Sequence, residues 1–443
     1  MERPKKKLYI KTFGCQMNVA DSEQMTQVLA EDFLPTDRPE EADLYLINTC
    51  AIRQKAQEKV LSLLGALKVL KQHRPQMLIG VGGCVAQQEG ERLLRLAPHL
   101  DLVFGTHGIY RLPQLVARAA QTRVVAVEFS EAYPPPLRRR WRPGQVKALV
   151  PIMQGCNNFC SFCVVPYVRG REYSRPPEII LAEVKDFLAS GGKEVTLLGQ
   201  NVNSYGRGLP QPVTFPQLLK QLAKLPGLAR LRFATSHPRD LSPELIAAWG
   251  ELPPLCEYLH LPVQSGSNRI LAAMNRGYTR EDYLRKVENL RRTCPGLCLG
   301  TDLIVGFPGE TESDFQDTLN LVREARFDVS FSFKFSPRPH TRAADLPDQV
   351  PEEVKAERLS RLQALQAELT LAAHQRLVGQ VQEVLVEGPS KRSPSMLTGR
   401  LRTNQVVNFV GPPTLFGQLT PVLITAAHPH SLKGQWQPTP QTF

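Results

Sequence analysis

The sequence predicts an α/β multidomain protein: an N-terminal parallel βα sheet domain, a partial (β/α)6 barrel, and a small all-β barrel of the OB kind. Three observations predict it. Strand-like apolar runs alternate with helical stretches from residue 8 to about residue 370, the pattern of parallel sheets. Two groups of three cysteines fall where such runs end. From residue 379 the chain is rich in Val, Gly and Thr, in short strand-like runs separated by turns. A length of 443 residues agrees with about three domains.

Composition bounds the class. Apolar residues make up 42% and charged residues 22%, ordinary for a soluble globular protein. Leu8-Tyr9-Ile10, after the basic Met1–Lys7, is too short for a signal-peptide apolar region. No run approaches the ~18 apolar residues of a membrane helix. Nine cysteines without a secretory signal point to a reducing cytoplasm, where grouped thiols mean metal or catalysis rather than disulfides. The chain is expected to be a cytoplasmic monomer. Its net charge of +12 suits a polyanionic partner, nucleic acid first.

Residues 1–125 read as repeated βα units. Strand-like runs at Leu8–Thr12, Asp43–Asn48, Met77–Val81 and Leu102–Phe104 are each followed by a turn. Helical stretches begin near Asp21, Arg53 and Glu89. Cys15, Cys50 and Cys84 each sit just past the carboxyl end of a strand. Sites in open parallel sheets form at those ends. Separations of 35 and 34 residues are about one βα unit each, so three distant thiols should meet on one rim. Small buried core residues would explain any one of them, but not three in register. A three-thiol metal cluster is expected.

Residues 126–147 read as a linker. Pro134-Pro135-Pro136 cannot continue a helix or central strand. Arg138–Arg142 with Trp141, and a second basic stretch at Arg169–Arg175, are either solvated segments or a track for phosphates.

Residues 148–375 resume the βα pattern. Strands are expected at Val146–Ile152, Glu194–Leu198, Arg230–Phe233, Tyr258–Leu261, Cys298–Ile304 and Val329–Phe335, with helices between them and a last helix at about Pro351–Val378. After the first strand comes Cys156-Asn157-Asn158-Phe159-Cys160-Ser161-Phe162-Cys163. Thiolates are the ligands that iron–sulfur clusters take, and three within eight residues can reach three corners of one cuboidal [4Fe-4S] cluster. The fourth iron is then open to a small molecule. Zinc takes four ligands, commonly as two CxxC-like pairs, and no fourth Cys or His lies close by. The turn falls at the carboxyl mouth of the barrel, where barrel sites are found.

Cys256, Cys294 and Cys298 read as structural, and His260 as a structural hydrogen-bonder. In residues 376–434, strands are expected at Val381–Glu387, Met396–Leu401, Val406–Val410 and Gln418–Ala427, with Lys391-Arg392 and Arg400/Arg402 in or beside turns. Such a barrel is a common nucleic-acid platform. Residues 435–443, rich in Pro and Gln, read as a disordered tail.

The three parts together resemble the methylthiotransferase branch of the radical S-adenosylmethionine superfamily: an N-terminal methylthiotransferase domain, a radical core and a C-terminal TRAM domain. The likeness rests on Thr12-Phe13-Gly14-Cys15-Gln16-Met17-Asn18, Asn48-Thr49-Cys50-Ala51-Ile52-Arg53 with Lys55–Lys59, and Gly82-Gly83-Cys84. It continues in Gly155–Cys160 with Cys163–Tyr167 and Arg169-Gly170, in Ser336-Pro337-Arg338-Pro339, and in Leu385-Val386-Glu387-Gly388. His340 departs from it, standing where the glycine of a tighter turn is expected.

The resemblance implies two [4Fe-4S] clusters, one on Cys156, Cys160 and Cys163 and one on Cys15, Cys50 and Cys84, with S-adenosylmethionine chelated at the open iron of the first. It implies that Phe162 packs on the adenine of that cofactor and that the backbone at Gly306 approaches its adenosine. Gln200, at the end of the second core strand, joins them as a cofactor contact. The substrate implied is transfer RNA carrying N6-dimethylallyladenosine at position 37, and the reaction is insertion of a methylthio group at carbon 2 of that adenine. A low-potential electron donor and a sulfur donor are implied as partners. The alternatives are a sibling acting on threonylcarbamoyladenosine transfer RNA, one acting on an Asp of a ribosomal protein, and a non-enzymatic iron–sulfur RNA-binding protein.

Overall fold

The computed structural model describes residues 4–51, 54–130, 139–391 and 393–438. Ile52 and Arg53, the Pro134–Pro136 and Arg138 part of the linker, Arg392 and the last five residues of the tail lie outside them. The chain divides into two compact units. One comprises the N-terminal part to Arg140 with Met153–Asn157 and Cys163–Tyr173; the other holds the rest.

The first unit is built on a six-stranded, all-parallel sheet. Its strands are β1 (Lys6–Thr12), β2 (Phe33–Pro35), β3 (Leu44–Thr49), β4 (Leu78–Gly83), β5 (Leu102–Phe104) and β6 (Val124–Ala126), in the order β2-β1-β3-β4-β5-β6. Successive side chains of a strand point to opposite faces. Accordingly Leu44 and Leu46 join one apolar core with Met25, Phe104 and Leu115. Tyr45 and Ile47 join a second core with Val60, Leu64 and Val103. Every residue of β3 is buried, and its first four, Leu44–Ile47, read as an apolar run before the buried polar pair Asn48 and Thr49. The strand order reverses between β1 and β3. A doubly wound sheet opens its binding crevice at such a switch point, outside the carboxyl ends of the strands.

Two edge strands, β2 and β6, were not expected; at three residues each they carry almost no periodic signal. The helix expected from Glu89 is two short ones, Cys84–Glu89 and Glu91–Leu96, divided at Gly90, whose φ is +50°.

The second unit contains six parallel strands: β7 (Lys147–Pro151), β8 (Glu194–Leu198), β9 (Arg230–Ala234), β10 (Tyr258–His260), β11 (Cys298–Val305) and β12 (Val329–Lys334). They form two three-stranded sheets, β7-β8-β9 and β10-β11-β12, joined by a single parallel bridge between Leu231 and Leu255. The result is an open barrel with strands in sequence order. Its helices start where short polar side chains can cap them: Thr214, Ser242, Ser267, Thr279 and Thr311 each accept a hydrogen bond from the backbone N–H three residues on.

The same unit ends in a closed five-stranded barrel of β13 (Val381–Pro389), β14 (Leu397–Arg400), β15 (Val406–Val410), β16 (Leu419–His428) and β17 (Ser431–Trp436), in the order β13-β14-β15-β17-β16. β17 corrects the expected tail. Residues 435 and 436 complete a strand, and Trp436 donates its indole N–H to Thr420 Oγ1 at 3.0 Å.

This barrel is moored to the amino ends of the core strands. Arg230, fully buried, donates to Arg400 O at 2.7 Å and to Glu383 O at 3.0 Å. Arg232 donates to Leu401 O at 2.7 Å and Arg402 O at 2.6 Å. Arg402 in turn closes on Glu257 at 2.8 Å, just before β10. Arg402, placed beside a turn by the sequence reading, is therefore committed to internal pairing.

Candidate metal and cofactor centre

The first thiol set lies where the switch point predicts. Cys15 follows β1 by three residues and caps the helix Gln16–Val28; Cys50 directly follows β3; Cys84 directly follows β4 and opens its helix. A network of buried amides ties the three loops together. Asn18 donates to Asn48 Oδ1 at 3.2 Å and to Thr49 O at 3.0 Å, while Asn48 returns a hydrogen bond to Asn18 O at 2.8 Å. Thr49 Oγ1 donates to Gly82 O at 2.6 Å and accepts from the Val85 N–H at 3.2 Å. The loops of Cys15, Cys50 and Cys84 are thus tied by side chains from the helix Gln16–Val28 and from β3 and by backbone groups at the end of β4.

The electrostatics favour thiolate at Cys15. A hydrogen bond with Cys50 draws the Cys15 thiol down to about 6, with the Asn18 contact and the Arg169 charge assisting against burial. Burial raises Cys84, and the Arg169 guanidinium opposes that rise. Arg169 is itself buried and forks onto Asp21 at 2.6 and 3.3 Å. The basic stretch Arg169–Arg175 is therefore not a free phosphate track at its ends. Arg169 serves the thiol rim, and Arg175 pairs with Glu183 at 2.6 Å. In the linker, Arg139 is buried against Glu23.

The second set occupies the turn after β7. Gly155 has φ +79°, and a Cβ there would lie 2.0 Å from Arg171 O, so only glycine makes this entry. The Cys156 N–H donates to Gly170 O at 3.2 Å, and Asn157 Oδ1 accepts from the Glu172 N–H at 3.1 Å. Asn275 Nδ2 donates to Asn158 O and Phe159 O at 3.3 and 3.1 Å. Ser161 donates through its N–H to Met274 O at 3.0 Å and through Oγ to Ala273 O at 2.8 Å. Cys156 and Cys160 are buried and Cys163 half-buried. Buried Arg276 donates to Cys160 Sγ at 3.2 Å.

Both sets suit iron–sulfur clusters by their chemistry. Each offers three thiols, with a buried guanidinium against one of the sulfurs. Among the described residues no three Cys, His, Asp or Glu converge on a point that would hold a single metal ion. A cuboidal cluster asks for less, since its thiolates ligate separate irons.

Phe162 packs against Ile270, Met274, Phe307, Phe335 and Ala343. Gln200 is half-buried, two residues past β8. Gly306, directly after β11, has φ +71°, and its missing Cβ would lie 2.3 Å from Lys355 Cγ. Packing under the helix Glu352–Gln375 thus requires glycine there irrespective of any cofactor. The Gly306 N–H donates to Glu310 Oε1 at 2.8 Å, and Arg358 donates to the same oxygen at 2.8 Å. His260 pairs with Asp302 at 2.9 Å, in keeping with a structural role. Cys256, Cys294 and Cys298 are buried, and burial pushes the Cys256 thiol up to about 11. His340 adopts φ +67°, the left-handed conformation a glycine would take there.

Sequence reasoning missed the two arginines beside the thiols. Arg169 stood in a basic run and in the Arg169-Gly170 segment of the family likeness, with no role beside the thiols, and Arg276, between Asn275 and Gly277, carries no local signal at all.

Comparison with known proteins agrees with this layout. Residues 7–105 match the uncharacterized protein family UPF0004, residues 150–322 the radical SAM superfamily, and residues 375–436 the TRAM domain. A tRNA-2-methylthio-N(6)-dimethylallyladenosine synthase of Syntrophobacter fumaroxidans is 52% identical over 97% of this chain and 95% of its own. Its namesake in Geobacter metallireducens is 52% identical over 97% and 98%. Among solved structures, the radical S-adenosylmethionine methyltransferase TsrM of Kitasatospora setae superposes with a TM-score of 0.57 at 15% identity, over 76% of this chain and 75% of that one. That likeness speaks to the fold.

Proposed function

The chain belongs to the tRNA-2-methylthio-N(6)-dimethylallyladenosine synthase family, and from that premise we propose that it inserts a methylthio group at carbon 2 of N6-dimethylallyladenosine at position 37 of transfer RNA. The observation that carries the proposal is the presence of two separate three-thiol sets, each at the carboxyl ends of parallel strands and each with a buried guanidinium beside one sulfur. A radical SAM domain takes S-adenosylmethionine and a [4Fe-4S] cluster. When bound, the two clusters supply an electron for cleaving S-adenosylmethionine and a site from which sulfur is delivered.

The chain's own residues do the rest. Cys156, Cys160 and Cys163 would hold the cluster that supplies the electron, three thiols for four irons. Cys15, Cys50 and Cys84 would hold the other, on a rim tied together by Asn18, Asn48 and Thr49. Phe162, Gln200 and the backbone at Gly306 line the place of the cofactor. An adenine carbon–hydrogen bond is neither acidic nor electrophilic, so no side-chain acid, base or nucleophile could open it, and a radical route fits the residues present. The target base leaves the anticodon-loop stack, which costs less in a single-stranded loop than in a duplex. The small barrel, with exposed Lys391, Lys433 and Phe416, contributes grip on the RNA. A low-potential electron donor and a sulfur donor complete the cycle, carried out by a cytoplasmic monomer.

Iron counting with Mössbauer spectroscopy tests the reading. Anaerobically reconstituted chain should hold about eight irons, and the Cys156/Cys160/Cys163→Ala triple variant about four. That variant should release no 5′-deoxyadenosine. The Cys15/Cys50/Cys84→Ala variant should release it while leaving the transfer RNA unmodified. Full methylthiolation by the latter would overturn the two-cluster assignment.

A further inference from the structure

We propose that Arg276 is a positioning residue that fixes the Cys160 sulfur and makes the cluster at Cys156, Cys160 and Cys163 easier to reduce. The inference rests on the assignment of Cys160 as a cluster ligand. Arg276 is 4% exposed. Its guanidinium is held on three sides: Nη1 donates to Cys160 Sγ at 3.2 Å, Nη2 to Pro262 O at 2.6 Å, and Nε to Tyr278 Oη at 2.9 Å. Tyr278 is anchored in turn by donating to Val263 O at 2.8 Å.

The charge balance around this group is unusual. Arginine stays protonated in proteins, and a buried cation normally meets a carboxylate, as Arg169 meets Asp21 and Arg358 meets Glu310. Among the described residues Arg276 meets none. A carbonyl and a phenol solvate the guanidinium without neutralising it, and a lone buried charge costs several kcal/mol. Of these three partners the carbonyl carries no charge and burial disfavours ionisation of the Tyr278 phenol, which leaves the sulfur of Cys160 to carry the negative charge. As a cluster ligand that sulfur is a thiolate, so the arginine and the cluster compensate each other.

The sign of the effect follows. Reduction adds one negative charge to a thiolate-ligated cluster. A fixed cation donating to a ligand sulfur favours the more negative form, and hydrogen bonds to sulfur are among the levers that set cluster potentials. Arg276 therefore raises the midpoint potential, so that a weaker one-electron donor suffices. Its rigid seat also holds the Cys160 side chain in one orientation before the cluster arrives.

The test is a redox titration followed by electron paramagnetic resonance. It uses the full chain carrying Cys15/Cys50/Cys84→Ala, so that one cluster remains, with and without R276Q and R276K. With about four irons retained, R276Q should lower the reduced-to-oxidised ratio about tenfold at a fixed solution potential, a midpoint shift of about 59 mV for one electron. R276K keeps the charge but loses the fork, and should fall between. Loss of iron in R276Q with retention and an intermediate midpoint in R276K would likewise support the role. Full iron with an unshifted midpoint in both variants would overturn it and leave the cluster assignment standing. An arginine-containing parent that binds no iron would sink both.

Discussion

Asp21 and Arg169, 148 positions apart in the chain, form a forked ion pair with side chains only 5% and 4% exposed. The helix Gln16–Val28 supplies the acid, and the short helix Val165–Arg169 supplies the base. Through this pair the turn leading away from Cys163 is fastened to the rim that carries Cys15 and Cys84.

Removing one member strands the other as a buried charge. Asp21→Asn should lower stability by about 3–5 kcal/mol, read as a lower midpoint in thermal unfolding of the iron-free chain. Asp21→Leu combined with Arg169→Met should be less damaging than Asp21→Asn alone. A double variant as unstable as the sum of its singles would show that the two groups act independently.

Glu310 gives a pH signature. Burial raises its carboxyl to about 7, against the contacts from the Gly306 N–H and Arg358. A carboxyl raised on folding contributes stability that is fully present below its unfolded value of about 4.3 and is lost as pH rises through the folded value. The iron-free chain should therefore lose up to about 3 kcal/mol between about pH 4.5 and 7.5 through this group. Urea unfolding across that range should show a smaller loss in Glu310→Gln; equal slopes would refute the assignment.

Arg230 anchors the C-terminal barrel through carbonyl oxygens of β13 and β14. Arg230→Met leaves those acceptors and Glu194 under-satisfied at a fully buried point, with an expected cost of about 3–5 kcal/mol. Hydrogen exchange should rise first in residues 381–436. Protection unchanged there would mean that the barrel is held by other contacts.

Gly155→Ala should abolish iron binding at Cys156 while leaving the first thiol set loaded. The added methyl would meet Arg171 O at a backbone angle of φ +79° that L residues avoid. Iron content falling from about eight to about four per chain, with unchanged far-ultraviolet circular dichroism, is the expected result.

Much of this architecture is written locally. The strand ends at Thr12, Thr49 and Gly83 follow from apolar runs meeting glycines and amides, and they fix where Cys15, Cys50 and Cys84 stand. The C-x3-C-x2-C spacing needs only one turn to be read. The partners of the arginines are different, because they depend on which residues the tertiary fold brings opposite. Arg169 reads in the sequence as part of either a solvated stretch or a phosphate track, whereas the fold sets it against Asp21, and Arg276 lies 116 positions from Cys160. β17 escaped notice because it begins after a two-residue turn and sits beside a Pro/Gln-rich end, so composition masked a strand that the barrel closure demands.

The small barrel grips the core at the amino ends of its strands, through Arg230, Arg232 and Glu257, whereas the cysteine turn follows the carboxyl end of β7. On the function proposed above, a grip on RNA by the barrel and radical chemistry at the cysteine turn would fall at opposite ends of the core strands. Such an enzyme should fail in two separable ways. Damage at one pole leaves a catalyst that still consumes its cofactor but has lost its client; damage at the other leaves an RNA-binding protein with nothing to do.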